Sequence, residues 1–277
     1  MRPLRTVSLK ERRHLVHARD LGRPGAHTGL NAFIDSLPDL LAARSLRLLL
    51  ERVRAAQATH RGVVWGLGAH VVKVGVTPWL VKLMESGHLT HLALNGAGVI
   101  HDFELAYCGE TSEDVAAAIR DGSFGMARET GELLGALFSA PEATVTGLGN
   151  HVARAIAESD YPHRDISLLA AAHRLKVPVS VHIAFGADVL HHHPALDWGA
   201  CARAARRDFE LLLEAVYTLD GGGVYLNVGS AVLLPEVFLK AVSVARNVGQ
   251  PLAKFTTAVL DMLDHYRPRE NVLARPG

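Results

Sequence analysis

The chain has 277 residues, of which 49% are hydrophobic, and a formal net charge of +1. This length suggests one large domain or two small ones, and because α/β folds of this size often form a single domain, we expect one domain over residues 1–277. The balanced charge argues against a nucleic-acid groove or a polybasic membrane surface. The N-terminal stretch lacks the apolar core of a signal peptide, and no apolar run is long enough to span a bilayer, so we expect a cytoplasmic protein.

The first part of the chain predicts an arm followed by a helix. Residues 1–36 are polar and contain Gly and Pro, which indicates an irregular arm. From Ser36 to Thr59 apolar residues recur at helical spacing.

Beyond residue 60, predicted strands and helices alternate. β-Branched or apolar runs that end in glycine turns predict strands at 62–68, 89–98, 178–186, 223–232 and 253–262. Helical spacing predicts helices at 77–87, from His101, at 111–122, 128–140, 164–177, 198–222 and 234–249. Thr77 and Thr111 are the expected N-caps of two of them. This alternation predicts a Rossmann-like α/β fold, a mostly parallel sheet with helices on both faces, and ligands bind such sheets at the carboxyl ends of the strands.

The turn after the second predicted strand, "NGAGVIHDFE", combines small residues with His101, Asp102 and Glu104. At the start of a helix, the two acids would complement the helix dipole or cap free N–H groups. Alternatively, one acid holds a ribose hydroxyl or a substrate amine while His101 transfers or orients a proton. His182, on a strand that approaches its carboxyl end, and Asp188 are further candidates.

Five turns in their order along the chain resemble the deoxyhypusine synthase family. They read "GLGAHVVKVG", "LNGAGVIHDFE", "VPVSVHIAFGADV", "LNVGSAVLLPE" and "FTTAVLDM". The resemblance implies a NAD-dependent homotetramer that acts on an aliphatic amine. It places Asp102 or Glu104 at the family's acid, and NAD near Gly66, Gly68, Asn95, Gly96, Gly98, Asn227, Gly229, Ser230, Thr257 and Ala258.

The chain departs from that family at the groups that carry its chemistry. No lysine follows Asp261, where the family has a catalytic lysine, and "AVLLPE" replaces the family's K-H-H. These departures predict a related scaffold with altered chemistry, not deoxyhypusine synthesis. The H-D-x-E after the second turn is also similar to NAD-dependent ornithine cyclodeaminase domains, so the expected substrate is a small cationic amine, either a polyamine or a basic amino acid.

Two alternatives remain open from the sequence. A metal-dependent hydrolase or lyase would use His101, Asp102, Glu104, His182 and the histidines at 191–193, but adjacent histidines diverge and the spacing predicts no metal site. A non-catalytic nucleotide-binding homologue would retain the fold without the family's lysine and histidine.

Overall fold

A computed structural model describes residues 5, 7–25 and 28–277, so part of the predicted arm lies outside the described residues. The chain divides into two compact units, residues 1–51 and residues 52–277. Within the described ranges, no helix is long and apolar enough to cross a bilayer.

The first unit is more helical than the sequence predicts. It contains a 3₁₀ turn, Ala18–Asp20, then helix α1, Leu30–Ser36, and the start of α2, Leu41–Ala58. The helix predicted from Ser36 to Thr59 is α2, but its predicted start was wrong, because Pro38 holds Leu37 in an extended conformation that ends α1 and α2 begins only at Leu41. Arg47 fixes the bend by donating hydrogen bonds to the carbonyls of Ile34, Leu37 and Pro38.

The second unit contains a five-stranded sheet in which every strand pairing is parallel. The strands are β1 (Val63–Leu67), β2 (His91–Asn95), β3 (Val179–His182), β4 (Gly223–Val228) and β5 (Phe255–Leu260). Their spatial order is β3-β2-β1-β4-β5, so the chain leaves β1 in one direction and later returns to add β4 on its other side. This arrangement confirms the Rossmann-like α/β prediction and puts the topological switch point between β1 and β4.

Helices connect the strands and cover the sheet. They are α3 (Ala69–Lys73), α4 (Thr77–Glu85), α5 (Gly96–Cys108), α6 (Val115–Ala118), α7 (Gly135–Ser139), α8 (Ala143–Thr146), α9 (Leu148–Glu158), α10 (Leu168–Arg174), α11 (Trp198–Tyr217), α12 (Leu233–Asn247) and α13 (Tyr266–Pro268). Single π-helical segments, Thr130–Leu134 and Arg269–Ala274, adjoin α7 and α13.

Strand residues alternate between two apolar cores. Leu92, Leu94 and Val181 belong to the larger core, whereas Ala93 and Tyr225 belong to the smaller one on the opposite face. The alternation follows from the two-residue repeat of a pleated strand, and it explains why these strands read as continuous apolar runs in the sequence.

Three predicted helix starts in the second unit were wrong. Helix α4 begins at Thr77 itself, and the Thr77 hydroxyl has no hydrogen-bond partner among the described residues, so Thr77 is not its N-cap. Helix α5 begins at Gly96, with Asn95 Oδ1 accepting from the Gly98 N–H at 3.0 Å, so His101 and Asp102 lie in its second turn and Glu104 in its third. The three side chains therefore lie too far along the helix to complement its dipole. Likewise, Asp114 and not Thr111 caps the short helix α6.

Asp208 of α11 joins three elements of the second unit. Its fully buried carboxylate accepts hydrogen bonds from the N–H groups of Leu148 and Gly149, at the start of α9, and of Val181 in β3. The three distances are 2.6, 3.1 and 2.7 Å. Burial raises the pKa of Asp208 to about 7, although the three backbone N–H donors lower it.

We expect Asp208→Ala to lower the free energy of unfolding by about 3 kcal/mol, because it leaves three buried N–H groups without an acceptor. Urea unfolding followed by circular dichroism measures the change. Asp160→Ala, at an exposed loop position, is the matched control and should alter stability by less than about 0.5 kcal/mol. Equal stabilities of the two variants would contradict this account.

Candidate functional site

A cavity of about 270 Å³ lies at the carboxyl edge of the sheet. Its walls come from the end of α3, the first turns of α5, and the segments 112–124 and 187–189. Its volume is just below the range of small-molecule sites, about 300–1,000 Å³. It is therefore suited to a small ligand, and a dinucleotide would extend beyond it.

The polar groups of this cavity are mostly acidic. Glu104, Glu113 and Asp188 contribute carboxylates, and the only charged group opposite them is Lys73, with His101 beside it. The Lys73 ammonium group makes no hydrogen bond or ion pair with any described residue. Ile100, Val115, Phe124 and Val189 supply apolar surface. A molecule with positive and negative groups on a short aliphatic chain matches this lining.

Within the cavity wall, Glu104 and His101 are linked by a threonine. The Thr111 hydroxyl donates to Glu104 Oε2 at 2.6 Å and lies 2.7 Å from His101 Nδ1. Since a hydroxyl has one hydrogen and a carboxylate is only an acceptor, Thr111 must accept from Nδ1–H of His101. A neutral His101 then carries its lone pair on Nε2. Thr130 donates to the other oxygen of Glu104 at 3.0 Å and holds the carboxylate in place.

The pKa of His101 is lowered from its ordinary value, chiefly by burial. The Glu104 carboxylate opposes this shift, whereas the positive charge of Lys73 adds to it. His101 is therefore neutral at pH 7 and can accept a proton.

Asp188 closes the N-terminal end of α5. Its carboxylate packs so tightly on Gly96 that a Cβ at that position would lie 2.2 Å from Oδ2, and it receives a hydrogen bond from the Ala97 N–H. Burial raises the pKa of Asp188 despite this donor. The helix end that the sequence assigned to a dinucleotide thus faces a carboxylate of the same chain.

Asp102 points away from the cavity. It is completely buried and accepts from the Ser167 hydroxyl and from the N–H groups of Leu168 and Leu169, at 2.5, 2.7 and 3.0 Å. These donors form the start of α10, so Asp102 caps that helix. Burial raises its pKa, and the three hydrogen bonds oppose the rise. Of the two acids that the sequence left open, only Glu104 reaches the cavity.

His182 also lies outside the cavity lining. It is buried at the end of β3, with Nε2 3.1 Å from the Ser180 hydroxyl, and burial lowers its pKa to about 4. The structure therefore brings together His101, Glu104 and Asp188 but neither Asp102 nor His182.

Most of the residues predicted to hold the cofactor lie near the ends of β1, β2 and β4. Gly68 meets the backbone of Gly229, and its N–H donates to the Val228 carbonyl at 2.8 Å. Asn95 caps α5, and the Ser230 hydroxyl accepts from Leu234 N–H. Gly66 lies over the Tyr225 hydroxyl, and Gly98 packs beside Asn95. Asn227 is fully buried, and Thr257 and Ala258 lie in β5. Their role in cofactor binding stays a prediction.

The histidines at 191–193 face different neighbours. His191 Nδ1 accepts from the N–H groups of Gly186 and Asp188, His192 Nε2 lies 3.1 Å from the Gly125 carbonyl, and His193 packs on Gly131. In the described part of the chain, no group of three or more His, Cys, Asp or Glu side chains is placed to hold a metal ion. The metal-dependent alternative thus gains no support.

Sequence reasoning missed several groups at the cavity. Glu113, Thr130 and Phe124 were not singled out, and Thr111 was assigned only as a cap. Thr130 is 26 residues from Glu104, and no spacing in the sequence relates the two.

No family model matches the sequence, and no curated protein matches it. Similar solved structures include unliganded AgrE, with 15% identity over 80% of this chain and 31% of AgrE and a TM-score of 0.49. The apo form of ArgZ, a cyanobacterial arginine dihydrolase, has 14% identity over 80% of this chain and 31% of ArgZ, with a TM-score of 0.47.

A conserved putative LOR/SDH protein from Methanococcus maripaludis S2 has 12% identity over 93% of this chain and 64% of that protein, with a TM-score of 0.41. AgrE has also been solved as a ternary complex with ornithine and NAD⁺. None of these three proteins is described as a deoxyhypusine synthase. The chain spans about a third of the length of AgrE and ArgZ.

The charges around His101 predict how its pKa responds to substitution. In the wild type, we expect His101 to titrate below 6.5, and Glu104→Gln should lower that pKa further by removing a stabilising negative charge. Lys73→Met should raise it, and Lys82→Met, outside the cavity, should leave it unchanged. Histidine Cε1–H resonances followed by NMR against pH give the values. A pKa above 6.5 in the wild type would contradict the assignment.

Proposed function

We propose that this chain binds NAD at the switch point of its sheet and oxidises the amine-bearing carbon of a small basic amino acid held in the acidic cavity. The observation that carries the proposal is the cavity itself, where three carboxylates and one unpaired lysine surround a neutral histidine at the carboxyl edge. Ornithine-sized amino acids carry two amines and one carboxylate and match this distribution of charge.

The residues at the switch point fit a dinucleotide in two respects. First, small residues directly follow both β1 and β4, and Gly229 has φ +63°. Second, Asn227 Oδ1 is buried there without a hydrogen-bond partner among the described residues. Doubly wound sheets bind dinucleotides at this position. Gly66, Gly68, Gly229 and Ser230 would hold the cofactor, with Thr257 and Ala258 on the adjacent strand. The Gly96 turn contributes less, because Asp188 already faces it.

Lys73 favours an amino acid over a polyamine. A polyamine has only cationic groups and would leave the lysine without a partner beside another positive charge. In an amino acid, the α-carboxylate pairs with Lys73 while the amines approach Glu113 and Asp188. The carboxylates thereby fix the orientation of the substrate in the cavity.

His101 is the proton acceptor in this scheme. When bound, NAD would supply the hydride acceptor for oxidation of the carbon that bears the amine, and the amine nitrogen would have to release one proton. The Nε2 lone pair of His101 takes that proton, and the resulting imidazolium is stabilised through Thr111 by the Glu104 carboxylate. Asp102 and His182 take no direct part.

A homo-oligomer and a cytoplasmic location are also part of the proposal. Light scattering after size exclusion tests the oligomeric state.

NAD binding and turnover can be measured separately. Isothermal titration with NAD should show binding, and a screen of ornithine, lysine, arginine, putrescine and spermidine should show reduced cofactor by absorbance with at least one amino acid. Absence of NAD binding at millimolar concentration would remove the cofactor from the proposal. Binding without turnover of any amine would favour the non-catalytic alternative.

For the substrate, we expect Lys73→Met to raise KM for the active amino acid about tenfold or more through loss of the carboxylate partner. It should leave any turnover of putrescine, which has no carboxylate, unchanged or improved. Lys82→Met is the matched control. Steady-state kinetics on both substrates provide the test, and an equal loss with both would assign Lys73 another role.

Thr111→Val should lower kcat for the same substrate by about 10²-fold, because His101 loses both its orientation and its link to Glu104. Thr144→Val, at a half-buried position in α8, removes a hydroxyl that donates to the Pro141 carbonyl and controls for a general effect of such a loss. An unchanged kcat would exclude His101 as a proton acceptor fixed by Thr111.

A further inference from the structure

A second cavity, of about 450 Å³, lies at the amino-terminal edge of the sheet, opposite the acidic cavity. Gly62, Thr90 and Pro178, the residues just before β1, β2 and β3, form its floor, and Leu211 and Ala215 of α11 form an apolar wall. Gln57, His60 and Arg61 lie at its rim. The cavity is large enough for a compact organic molecule.

Arg61 gives this cavity a positive charge without a partner. Its guanidinium rests against Gly221, where an added Cβ would lie 3.1 Å from Cζ, and it makes no hydrogen bond or ion pair to any described residue. The one carboxylate of the lining, Glu214, accepts from Arg207 at 2.9 Å. An anionic ligand with an apolar body therefore complements both the charge and the wall.

His91 also lines this cavity and begins a chain of buried hydrogen bonds. Its Nε2 lies 2.9 Å from the Ser180 hydroxyl, and that hydroxyl lies 3.1 Å from Nε2 of His182. Burial lowers the pKa of His91 to about 3 and that of His182 to about 4, so both rings are neutral at pH 7. Each ring then has one N–H and one lone pair.

The single hydrogen of Ser180 allows two fully bonded arrangements. If Ser180 donates to His91, it accepts from Nε2–H of His182, and His91 carries its own hydrogen on Nδ1. If Ser180 donates to His182, then His91 is protonated on Nε2 and His182 on Nδ1. In either case the tautomer of one histidine fixes that of the other, although they lie on neighbouring strands.

We propose that the amino-terminal cavity binds a small carboxylate with an apolar body, which pairs with Arg61 and accepts a hydrogen bond from Nδ1–H of His91. An ionised carboxylate is only an acceptor, so it selects the first arrangement. His182, at the carboxyl edge, is then protonated on Nε2 and bears its lone pair on Nδ1. Binding at the amino-terminal edge thereby sets the tautomer of His182 at the carboxyl edge, whether or not the chain has the proposed function.

The site is tested with benzoate on the full chain at pH 7. We expect benzoate to bind by isothermal titration and Arg61→Gln to weaken it at least about tenfold. Neutral benzamide and cationic benzylamine should each bind the wild type at least about tenfold more weakly than benzoate does. Arg206→Gln, on the exposed side of α11, is the matched control and should bind benzoate like the wild type. No binding of benzoate up to its solubility limit, or equal binding by Arg61→Gln, overturns the site.

The tautomers are read from ¹⁵N shifts of the imidazole nitrogens in ¹⁵N-histidine-labelled protein, with His182→Gln used for assignment. In the benzoate-bound protein we expect the hydrogen on Nδ1 of His91 and on Nε2 of His182. Any other pair of tautomers in the bound state overturns the link between them. Arg61→Gln lies outside the core, and circular dichroism establishes that it is folded before either measurement.

Discussion

The second unit depends on two buried aspartates and one partly buried aspartate, each of which accepts one or more backbone N–H groups at the start of a helix from another part of the chain. Asp102 caps α10, Asp188 faces the start of α5, and Asp208 caps α9. The first N–H groups of a helix lack internal partners, and in α/β folds such ends are ready sites for anions. Here carboxyl groups of the chain itself occupy those ends. These contacts fix the helices relative to the sheet and make those ends unavailable to phosphate.

The same constraint shapes the candidate site. Because Asp188 holds the start of α5, the second and third turns of that helix, with His101 and Glu104, form one wall of the acidic cavity. Thr111 and Thr130 then bind Glu104 from outside the helix. The pKa of His101 depends on this arrangement, since burial lowers it and the fixed carboxylate partly restores it. The proton acceptance that we propose for His101 thus depends on how α5 is anchored, and the residue pattern H-D-x-E alone does not define it.

Much of the fold could be predicted because β-branched runs and glycine turns mark the parallel strands directly. The site was less accessible, and the phase of α5 shows why. Successive helix residues point about 100° apart, so Asp102 faces the core although its neighbour His101 faces the cavity. Glu104, three residues from His101, shares its side of the helix. The prediction treated the three as one group because it started the helix at His101. Lys73 and Thr130 come from other elements, and only the tertiary structure brings them near Glu104.

The pleat of β2 and β3 determines which of the two candidate histidines, His101 and His182, lies on the face of the sheet that bears the acidic cavity. Val179 and Val181 lie in the larger core with Ile100 and Phe103 of α5, so the intervening Ser180 and His182 face the opposite side of the sheet. His182 pairs in register with Asn95, and it therefore reaches the same edge as the acidic cavity but from the other face. A small molecule bound beside Glu104 would contact His101 and would be separated from His182 by the sheet. Any influence of His182 on that substrate must pass through the strand ends, where Asn95 fixes the first turn of α5.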